Sequence, residues 1–413
     1  MTPRAASVAL ALGALLAAGC TVPECATPDY SQAECRVIAE NNHARLETPS
    51  GVEVRFLPAG SLAVDPWDAT GLVTHRADGS VTARVAGLGP FTLAVQRDAS
   101  GPDTLTVELQ NVSPRATVTA GPVDAPDRIN ADALGQTTRR IVVPLPDTEA
   151  VFVHGTLDCP TRYTIAVAAD IQTNPEQFTR IVEALQQEAT RASESGEPLV
   201  GLIIPGDVTE ASRDEEFDQI TEILGRLPFP VAVTPGNHDI YRPTRPHYTL
   251  NFGPGNHAFT VCRTHVAMLD TGSGSLAASV QARLLELFDP GEADFSIAAM
   301  HHPPYAGWTG AGWSREDQAA HLLADAALAG VDLIVAGHSH SLVDFPAISV
   351  GDTTIREIIA GTAGAQQGLG VPRYGYVRLT FSDEIEACFV EVAPPGYADF
   401  PNDAPPMGRC AAD

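Results

Sequence analysis

The sequence predicts an α/β domain preceded by a domain of β-strands, and two patterns underlie this prediction. Between residues 46 and 157, short segments alternate apolar and polar residues and are separated by Gly, Pro, Asp and Ser. From residue 163 onward, nearly continuous apolar segments alternate with amphipathic helical segments, which is typical of βαβ units in a sheet covered on both faces. At 413 residues the chain is long enough for two domains.

The first twenty residues predict an export signal with a lipid attachment site. One arginine, a short apolar run and small residues precede Cys20. Residues 15–20 resemble a bacterial lipoprotein cleavage box, so we expect residues 1–19 to be removed and Cys20 to be acylated. The protein would then be exported and held at the bacterial cell envelope by its lipid anchor. Ordinary signal cleavage, which would release a soluble secreted protein, is the alternative.

Two further segments precede the α/β domain. Residues 20–45 are polar, and we expect them to form a tether. Residues 46–157 are predicted to form a β-sandwich of immunoglobulin-like size, serving as a spacer or a binding module. The alternating segments that predict its strands are 52–56, 81–85, 91–95 and 104–109.

Residues 160–393 are predicted to form the α/β domain, and the proline-rich residues 394–413 an irregular tail. Continuous apolar segments predict strands, and segments with apolar residues on one face predict helices. The predicted strands are 163–169, 199–204, 230–234, 259–262, 266–269, 295–300, 333–336, 355–359, 375–381 and 385–392. The predicted helices are 175–191, 217–227, 279–288 and 315–328.

The cysteine count agrees with export. Without Cys20, six cysteines remain, and an even set in an exported chain predicts up to three disulfides with fifteen possible connectivities. The short loop between Cys25 and Cys35 favours that pair, and a bond between Cys388 and Cys410 would hold the C-terminal tail. A cysteine metal site is the alternative, but the sequence has no Cys-x-x-Cys spacing that would favour it.

Charge excludes several classes of function. The chain has no lysine, which excludes Schiff-base chemistry and a P-loop lysine. Its formal net charge of −26 argues against nucleic acid as a partner, because phosphate backbones require a basic surface.

Metal-ligating residue types recur directly after the predicted strands. In open α/β sheets, ligands bind beyond the carboxyl ends of the strands. Carboxylate, amide and imidazole donors together suit Mn, Fe or Zn and do not choose among them. Two such ions roughly 3.5–4 Å apart can share a hydroxide and hold the attacking and leaving oxygens of a phosphoryl group. The candidate ligands are Asp170, Gln172, Asp207, Asn237, His301, His338 and His340.

His238 is the candidate general acid. It directly follows the candidate ligand Asn237, so its ring could protonate a leaving oxygen beside the metals. The next residue, Asp239, is predicted to hold this ring and to stabilise its charged form.

The ordered motifs Asp-x-Gln, Gly-Asp, Gly-Asn-His-Asp, His-x-Pro and Gly-His-x-His resemble those of the calcineurin-like metallophosphoesterase superfamily. The resemblance implies a two-sheet αββα sandwich with two divalent metal ions. One ion would be held by Asp170, Gln172, Asp207 and His340, and the other by Asp207, Asn237, His301 and His338. Most members carry histidine, or no ligand, at the position of Gln172. Glutamine occurs in some, including the manganese-dependent ADP-ribose and CDP-alcohol diphosphatase group.

The expected activity is hydrolysis of a small-molecule phosphoester, whether a diester, a pyrophosphate or a monoester. Arg242 and Arg245 could grip a substrate phosphate or lie on the surface as ordinary charges. Trp308 and Trp313 could stack on a substrate ring or pack internally. His302 is expected to be structural or to support the metal ligands without binding the metal itself. The alternative function is a surface lipoprotein with a structural metal site that acts as a binding module. The oligomeric state stays open.

Overall fold

The computed structural model describes residues 25, 28–58, 69–122, 126–146, 149–305, 312–367, 372–394 and 405–410. The predicted signal peptide, Cys20 and Trp308 lie outside these residues. Within them, no helix is both long and apolar enough to cross a membrane.

The N-terminal part contains one helix followed by two β-sheets. The sheets have the strand orders β1-β2-β5-β11-β7-β8 and β3-β4-β6-β10-β9, and their inward residues share one apolar core. That arrangement is what a sandwich requires, whereas the immunoglobulin-like size and the domain limits stay predictions. The elements are α1 Ala33–His43, β1 Arg45–Glu47, β2 Val52–Leu57, β3 Gly71–His75, β4 Val81–Val85, β5 Phe91–Arg97, β6 Thr104–Gln110, β7 Ala116–Gly121, β8 Asp127–Arg128, β9 Asp132–Ala133, β10 Arg139–Pro144 and β11 Val151–Leu157.

The rest of the chain forms two further sheets with helices outside them. Their strand orders are β14-β13-β12-β21-β22 and β15-β16-β17-β18-β20-β19. The strands are β12 Tyr163–Val167, β13 Leu199–Pro205, β14 Val231–Thr234, β15 His257–Val261, β16 Thr264–Leu269, β17 Phe295–Met300, β18 Leu333–Ala336, β19 Leu342–Val350, β20 Thr353–Ala360, β21 Gly375–Phe381 and β22 Ile385–Glu391. The helices are α2 Pro175–Ser195, α3 Asp214–Leu224, α4 His247–Phe252, α5 Ala278–Gln281, α6 Leu284–Leu287 and α7 Glu316–Ala329, with a 3₁₀ turn at His238–Ile240.

These two sheets pack face to face. Ile165 and Ile203 from one sheet and Ile297 and Val335 from the other lie in a common core. Helices α2 and α3 cover the outer face of the first sheet, and α5 to α7 cover that of the second. The predicted αββα fold is therefore confirmed.

Local sequence explains where the longest helix begins and ends. The Asn174 side chain accepts a hydrogen bond from the backbone N–H of Gln177, and proline occupies the first helical position of α2. Gly196, in a left-handed conformation, caps the helix, whose last residue Ser195 lies four residues beyond the predicted limit of 191. The predicted helix 279–288 is instead divided into the two short helices α5 and α6.

Helix α1 differs from the expected tether. Cys35, Arg36, Val37 and Glu40 are buried, and Val37 contributes to the core under α5 to α7. Two of these residues are ionisable, so the segment looks solvated in the sequence although it packs against the α/β domain.

Three disulfides join the six remaining cysteines in pairs. Cys25–Cys35 and Cys388–Cys410 confirm the two predicted bonds. The third, Cys159–Cys262, links the chain after β11 to the end of β15.

Candidate metal centre

Parallel strands bring the predicted ligands to one edge. β12, β13 and β14 run parallel to one another, as do β16, β17 and β18. The residues that follow these strands therefore meet at their carboxyl ends. Two groups of donor atoms result, each with all its atoms within 4.8 Å of one another: Asp170, Asp207 and His340 in the first, and His301, His302 and His338 in the second.

The backbone at this edge is unusual. Asp170, Asp207, His338 and His340 all have positive φ angles, between 45° and 71°, in the left-handed region that side chains rarely adopt. A Cβ added at Gly206 would lie 2.6 Å from His301 Nδ1 and 2.7 Å from the Gly236 nitrogen. Glycine before Asp207 is thus required for the close approach of these turns.

Two of the predicted ligands have buried oxygen atoms without hydrogen-bond donors. Asp170 Oδ2 and Gln172 Oε1 have no partner among the described residues, although both side chains are buried. Asp170 Oδ1 accepts a hydrogen bond from the His338 backbone and lies 3.8 Å from His340 Nε2. Unpartnered buried oxygens are costly, and a divalent cation bound at the first group would satisfy the Asp170 oxygen. The role of Gln172 as a ligand stays a prediction.

The second group is oriented by backbone and amide contacts. His301 Nδ1 donates to the Pro205 carbonyl over 2.9 Å, which turns Nε2 toward the site. Asn237 Oδ1 lies 3.1 Å from both His301 Nε2 and His338 Nδ1. Asp207 Oδ2 lies 3.3 Å from His301 Nε2, so Asp207 contacts both groups and suits a bridging position.

His302 lies closer to this group than the sequence indicated. Its ring centroid is 4.2 Å from that of His338, and its buried Nδ1 has no hydrogen-bond partner among the described residues. The His301-His302-Pro303 spacing assigned the ligand role to His301 alone, and the structure brings both imidazoles to the site.

Crowding of ionisable groups shifts their pKa values strongly. Burial, together with the nearby Asp207 carboxylate, raises the pKa of Asp170 to about 8. Burial and the neighbouring His301 lower the pKa of His338 to about 4. Burial alone would lower the pKa of His301, but Asp207 and Asp170 raise it to about 9. A bound cation would favour the carboxylate form of Asp170 and the neutral imidazole form of His301, so the cluster is chemically suited to cations.

The prediction that Asp239 holds the His238 ring is wrong, because each of the two side chains has other partners. The Asp239 carboxylate accepts hydrogen bonds from the backbones of Gly236 and Thr209 and from the Thr209 hydroxyl. The His238 ring instead lies 2.7 Å, through Nδ1, from the Glu210 carbonyl oxygen. Asp239 therefore shapes the turn, and Glu210 orients the imidazole.

Residues close behind Asp207 were missed in the sequence. Glu210 Oε2 lies 3.4 Å from His238 Nδ1. The Ser212 hydroxyl donates to the His238 carbonyl and accepts from the Tyr241 backbone. Their only sequence signal is position, since they follow the Gly-Asp motif within five residues.

A cavity of about 530 Å³ lies beside the second donor group. The predicted phosphate-binding residues Arg242 and Arg245 are exposed and do not line it, and Arg245 pairs with Asp214. Trp313 is buried, and its indole N–H donates to the Pro303 carbonyl, so it packs internally. A larger cavity of about 1060 Å³ lies against β22 and contains none of the predicted ligands. The lining of the smaller cavity is Ser31, Asn237, Ile240, Tyr241, Pro243, Gly272, Ser273, Gly274, His302, Gly312 and His338.

An αββα sandwich with acidic and imidazole donors at its strand ends defines a metallophosphoesterase-type domain. Residues 163–342 match the family model of calcineurin-like phosphoesterases. Members of this family use a dinuclear metal centre.

The similarity to an individual relative covers a smaller part of the chain than the match to the family model. The glycerophosphodiester phosphodiesterase GpdQ of Enterobacter lignolyticus is 29% identical over 118 residues, covering 25% of this chain. The match spans only 41% of the length of that relative.

Similar solved structures include a purple acid phosphatase from yellow lupin (13% identity, TM-score 0.46, 82% of this chain and 77% of that one). A dimetal phosphatase from Danio rerio is another (12% identity, TM-score 0.41, 56% of this chain and 98% of that one).

Proposed function

We propose that the protein is a metal-dependent phosphohydrolase that uses two divalent ions. The observation that carries the proposal is the convergence of two donor groups that Asp207 joins. Asp170, Gln172, Asp207 and His340 would hold one ion, and Asp207, Asn237, His301 and His338 the other. When bound, such ions neutralise charge on the phosphoryl oxygens and supply a nucleophile from water at neutral pH.

His238 is the proton donor in this proposal. Its Nδ1 is engaged with the Glu210 carbonyl, which leaves Nε2 free to give a proton to the leaving oxygen. The Glu210 carboxylate also lies close to this nitrogen, with Oε2 3.4 Å from Nδ1. The backbone N–H of His238 donates a hydrogen bond to the Asp207 carboxylate, and this bond holds the residue against the donor groups.

We favour phosphodiesters as the substrate class. The similarity to a glycerophosphodiester phosphodiesterase supports this choice. No arginine lines the 530 Å³ cavity among the described residues, and that makes the doubly charged end of a monoester a poorer fit.

The test is hydrolysis of bis(p-nitrophenyl) phosphate by metal-free protein before and after Mn²⁺ addition. We expect turnover only with the metal, and loss of turnover in Asp207→Ala. Asp352→Ala, at an exposed position away from the site, is the matched control and should keep full activity. Wild-type protein that hydrolyses none of a panel of monoesters, diesters and pyrophosphates would refute the proposal. If that protein kept its metal, the binding-module alternative would be favoured.

We further propose that the protein is exported and anchored through Cys20. The three disulfides support an oxidising compartment outside the cytoplasm. Labelled palmitate should be incorporated into the wild-type chain expressed in a bacterium but not into Cys20→Ser. Equal labelling of both would contradict the anchor.

A further inference from the structure

Two loops line much of the 530 Å³ cavity, and each is called here one of its walls. One follows His238 and contributes Ile240, Tyr241 and Pro243. The other follows Asp270 and contributes the run from Gly272 to Gly274. Both loops belong to the α/β domain, and neither is a continuation of the other.

Residues 30–36, which we name the clamp segment, contact both loops. The Tyr30 backbone N–H donates to the Pro243 carbonyl over 2.8 Å. Ser31 itself lines the cavity. At the other end of the segment, the Arg36 guanidinium donates to both Asp270 oxygens over 2.5 and 2.8 Å.

Arg36 links the backbone of the clamp segment to the loop that follows Asp270. Its Nη1 donates to the carbonyls of Tyr30 and Ser31, each over 3.0 Å, which fixes the backbone that reaches the cavity. Its partner Asp270 accepts a hydrogen bond from the Gly272 backbone over 2.9 Å, which fixes the second wall. The side chains of Arg36 and Asp270 are only 3% and 1% exposed, so solvent does not compete for these bonds.

Further contacts hold the clamp segment in place. The Cys25–Cys35 disulfide ties the start of α1 to the preceding chain. Glu34 accepts hydrogen bonds from the Ser279 backbone and hydroxyl. The segment therefore has a defined position over the cavity.

We propose that the clamp segment is a wall of the substrate pocket and that Arg36 is a positioning residue of this enzyme. This inference rests on the proposed phosphodiesterase function. The cavity would receive the organic group of the diester that is not released, and Ser31 would limit its size. The hydroxyl, backbone and tyrosine lining suits a small uncharged group.

The test compares two substrates with the same leaving group, bis(p-nitrophenyl) phosphate and methyl p-nitrophenyl phosphate. Ser31→Phe adds bulk at an exposed position and should lower kcat/KM for the larger diester about tenfold relative to the methyl ester. Arg36→Lys keeps the charge but loses the two-pronged contact with Asp270, and should raise KM for both diesters about tenfold at nearly unchanged kcat and metal content. Asn42→Phe, exposed on α1 away from both loops, is the control and should match wild type.

The outcomes separate the two levels of the proposal. Wild-type protein that hydrolyses neither diester with Mn²⁺ bound contradicts the proposed function and this inference with it. Active wild-type protein with unchanged KM in Arg36→Lys and an unchanged substrate ratio in Ser31→Phe overturns the clamp alone. Because Ser31 is exposed, its variant keeps the test decisive if Arg36→Lys does not fold.

Discussion

At the scale of single residues, His238 is the side chain whose role the geometry defines most narrowly. Its ring is fixed through Nδ1 by the Glu210 carbonyl, and its backbone N–H donates to Asp207 over 3.0 Å. A residue held between the Asp207 carboxylate, a proposed metal ligand, and the Glu210 carbonyl has one ring nitrogen left for chemistry. That nitrogen can donate a proton, whereas the ring contributes no ligand to either donor group.

His238→Ala is expected to lower kcat by about 10²–10⁴-fold, because proton transfer by a positioned side chain contributes about that much. The loss should be larger for a phenyl diester than for a p-nitrophenyl diester, since the poorer leaving group depends more on protonation. Steady-state kinetics with metal analysis check this. His321→Ala, on the exposed side of α7, is the control. Equal losses for both leaving groups would argue against the acid role.

Gln172 makes a second prediction at this scale. Its buried Oε1 has no hydrogen-bond partner among the described residues, and a metal ligand role would account for it. Gln172→Ala should lower the affinity for one of the two bound ions by at least about tenfold and leave the affinity for the other unchanged. Metal stoichiometry after dialysis measures this, with exposed Gln187→Ala as control. Two ions retained in Gln172→Ala would exclude Gln172 as a ligand.

At the scale of elements, the carboxyl ends of the strands could be predicted because a buried apolar run followed by Gly-Asp or Gly-His is a local pattern. Strand β19 could not be predicted from the sequence, because most of its residues are only partly buried and its apolar and polar residues do not alternate. Helix α1 was missed for a related reason. Its buried face includes Arg36 and Glu40, whose partners Asp270 and Asn256 lie more than 200 residues away.

The partner of the His238 ring, Glu210, was also hidden because it lies 28 residues earlier in the sequence. Asp239, its neighbour in sequence, was the obvious choice for the orienting group. The turn that begins at Asn237 directs that carboxylate back to Gly236 and Thr209 instead. Adjacent residues on a tight turn point in different directions, so sequence adjacency did not indicate contact.

Glu40 of α1 is predicted to make the stability of the folded protein depend on pH. Burial and the nearby Asp270 raise its pKa from 4.5 to about 8, although Gly255, Asn256 and Arg36 oppose the shift. The folded state therefore holds a proton that the unfolded chain has lost between these pH values, and stability falls as pH rises through this window. Glu40→Gln should remove this loss, so its melting temperature relative to wild type should rise by a few degrees between pH 5 and pH 8.

The control for this prediction is Glu47→Gln on the exposed edge of β1. Its melting temperature should follow that of the wild type at every pH. A constant difference between Glu40→Gln and wild type from pH 5 to pH 8 would contradict a protonated Glu40 in the folded protein.

At the scale of the whole molecule, the N-terminal sheets are joined to the α/β domain by more than a linker. Leu88 is 1% exposed and lies in the core between the two sheets of that domain, against Gly201 of β13. Asn111 pairs its side-chain amide with the backbone of Val231 at the edge of β14. The prediction of a separate spacer did not anticipate these contacts, since a single leucine in a loop gives no sign of which core receives it.

Leu88→Ala should therefore destabilise the α/β domain by about 2–5 kcal/mol, the usual cost of removing a buried leucine side chain. Urea unfolding followed by intrinsic fluorescence measures this loss. Leu134→Ala, at a side chain that is 44% exposed, should change stability little. If Leu88→Ala were as stable as this control, the N-terminal sheets would not contribute to the core of the α/β domain.

The central claim is that two metal ions at the strand ends carry phosphoester hydrolysis. Titration of metal-free protein with Mn²⁺, with bound metal and bis(p-nitrophenyl) phosphate turnover read on the same samples, tests it most directly. The account predicts that activity rises with bound metal and reaches its maximum at two ions per chain. Saturation at two ions without turnover of any monoester, diester or pyrophosphate, or full turnover in the absence of metal, would contradict it.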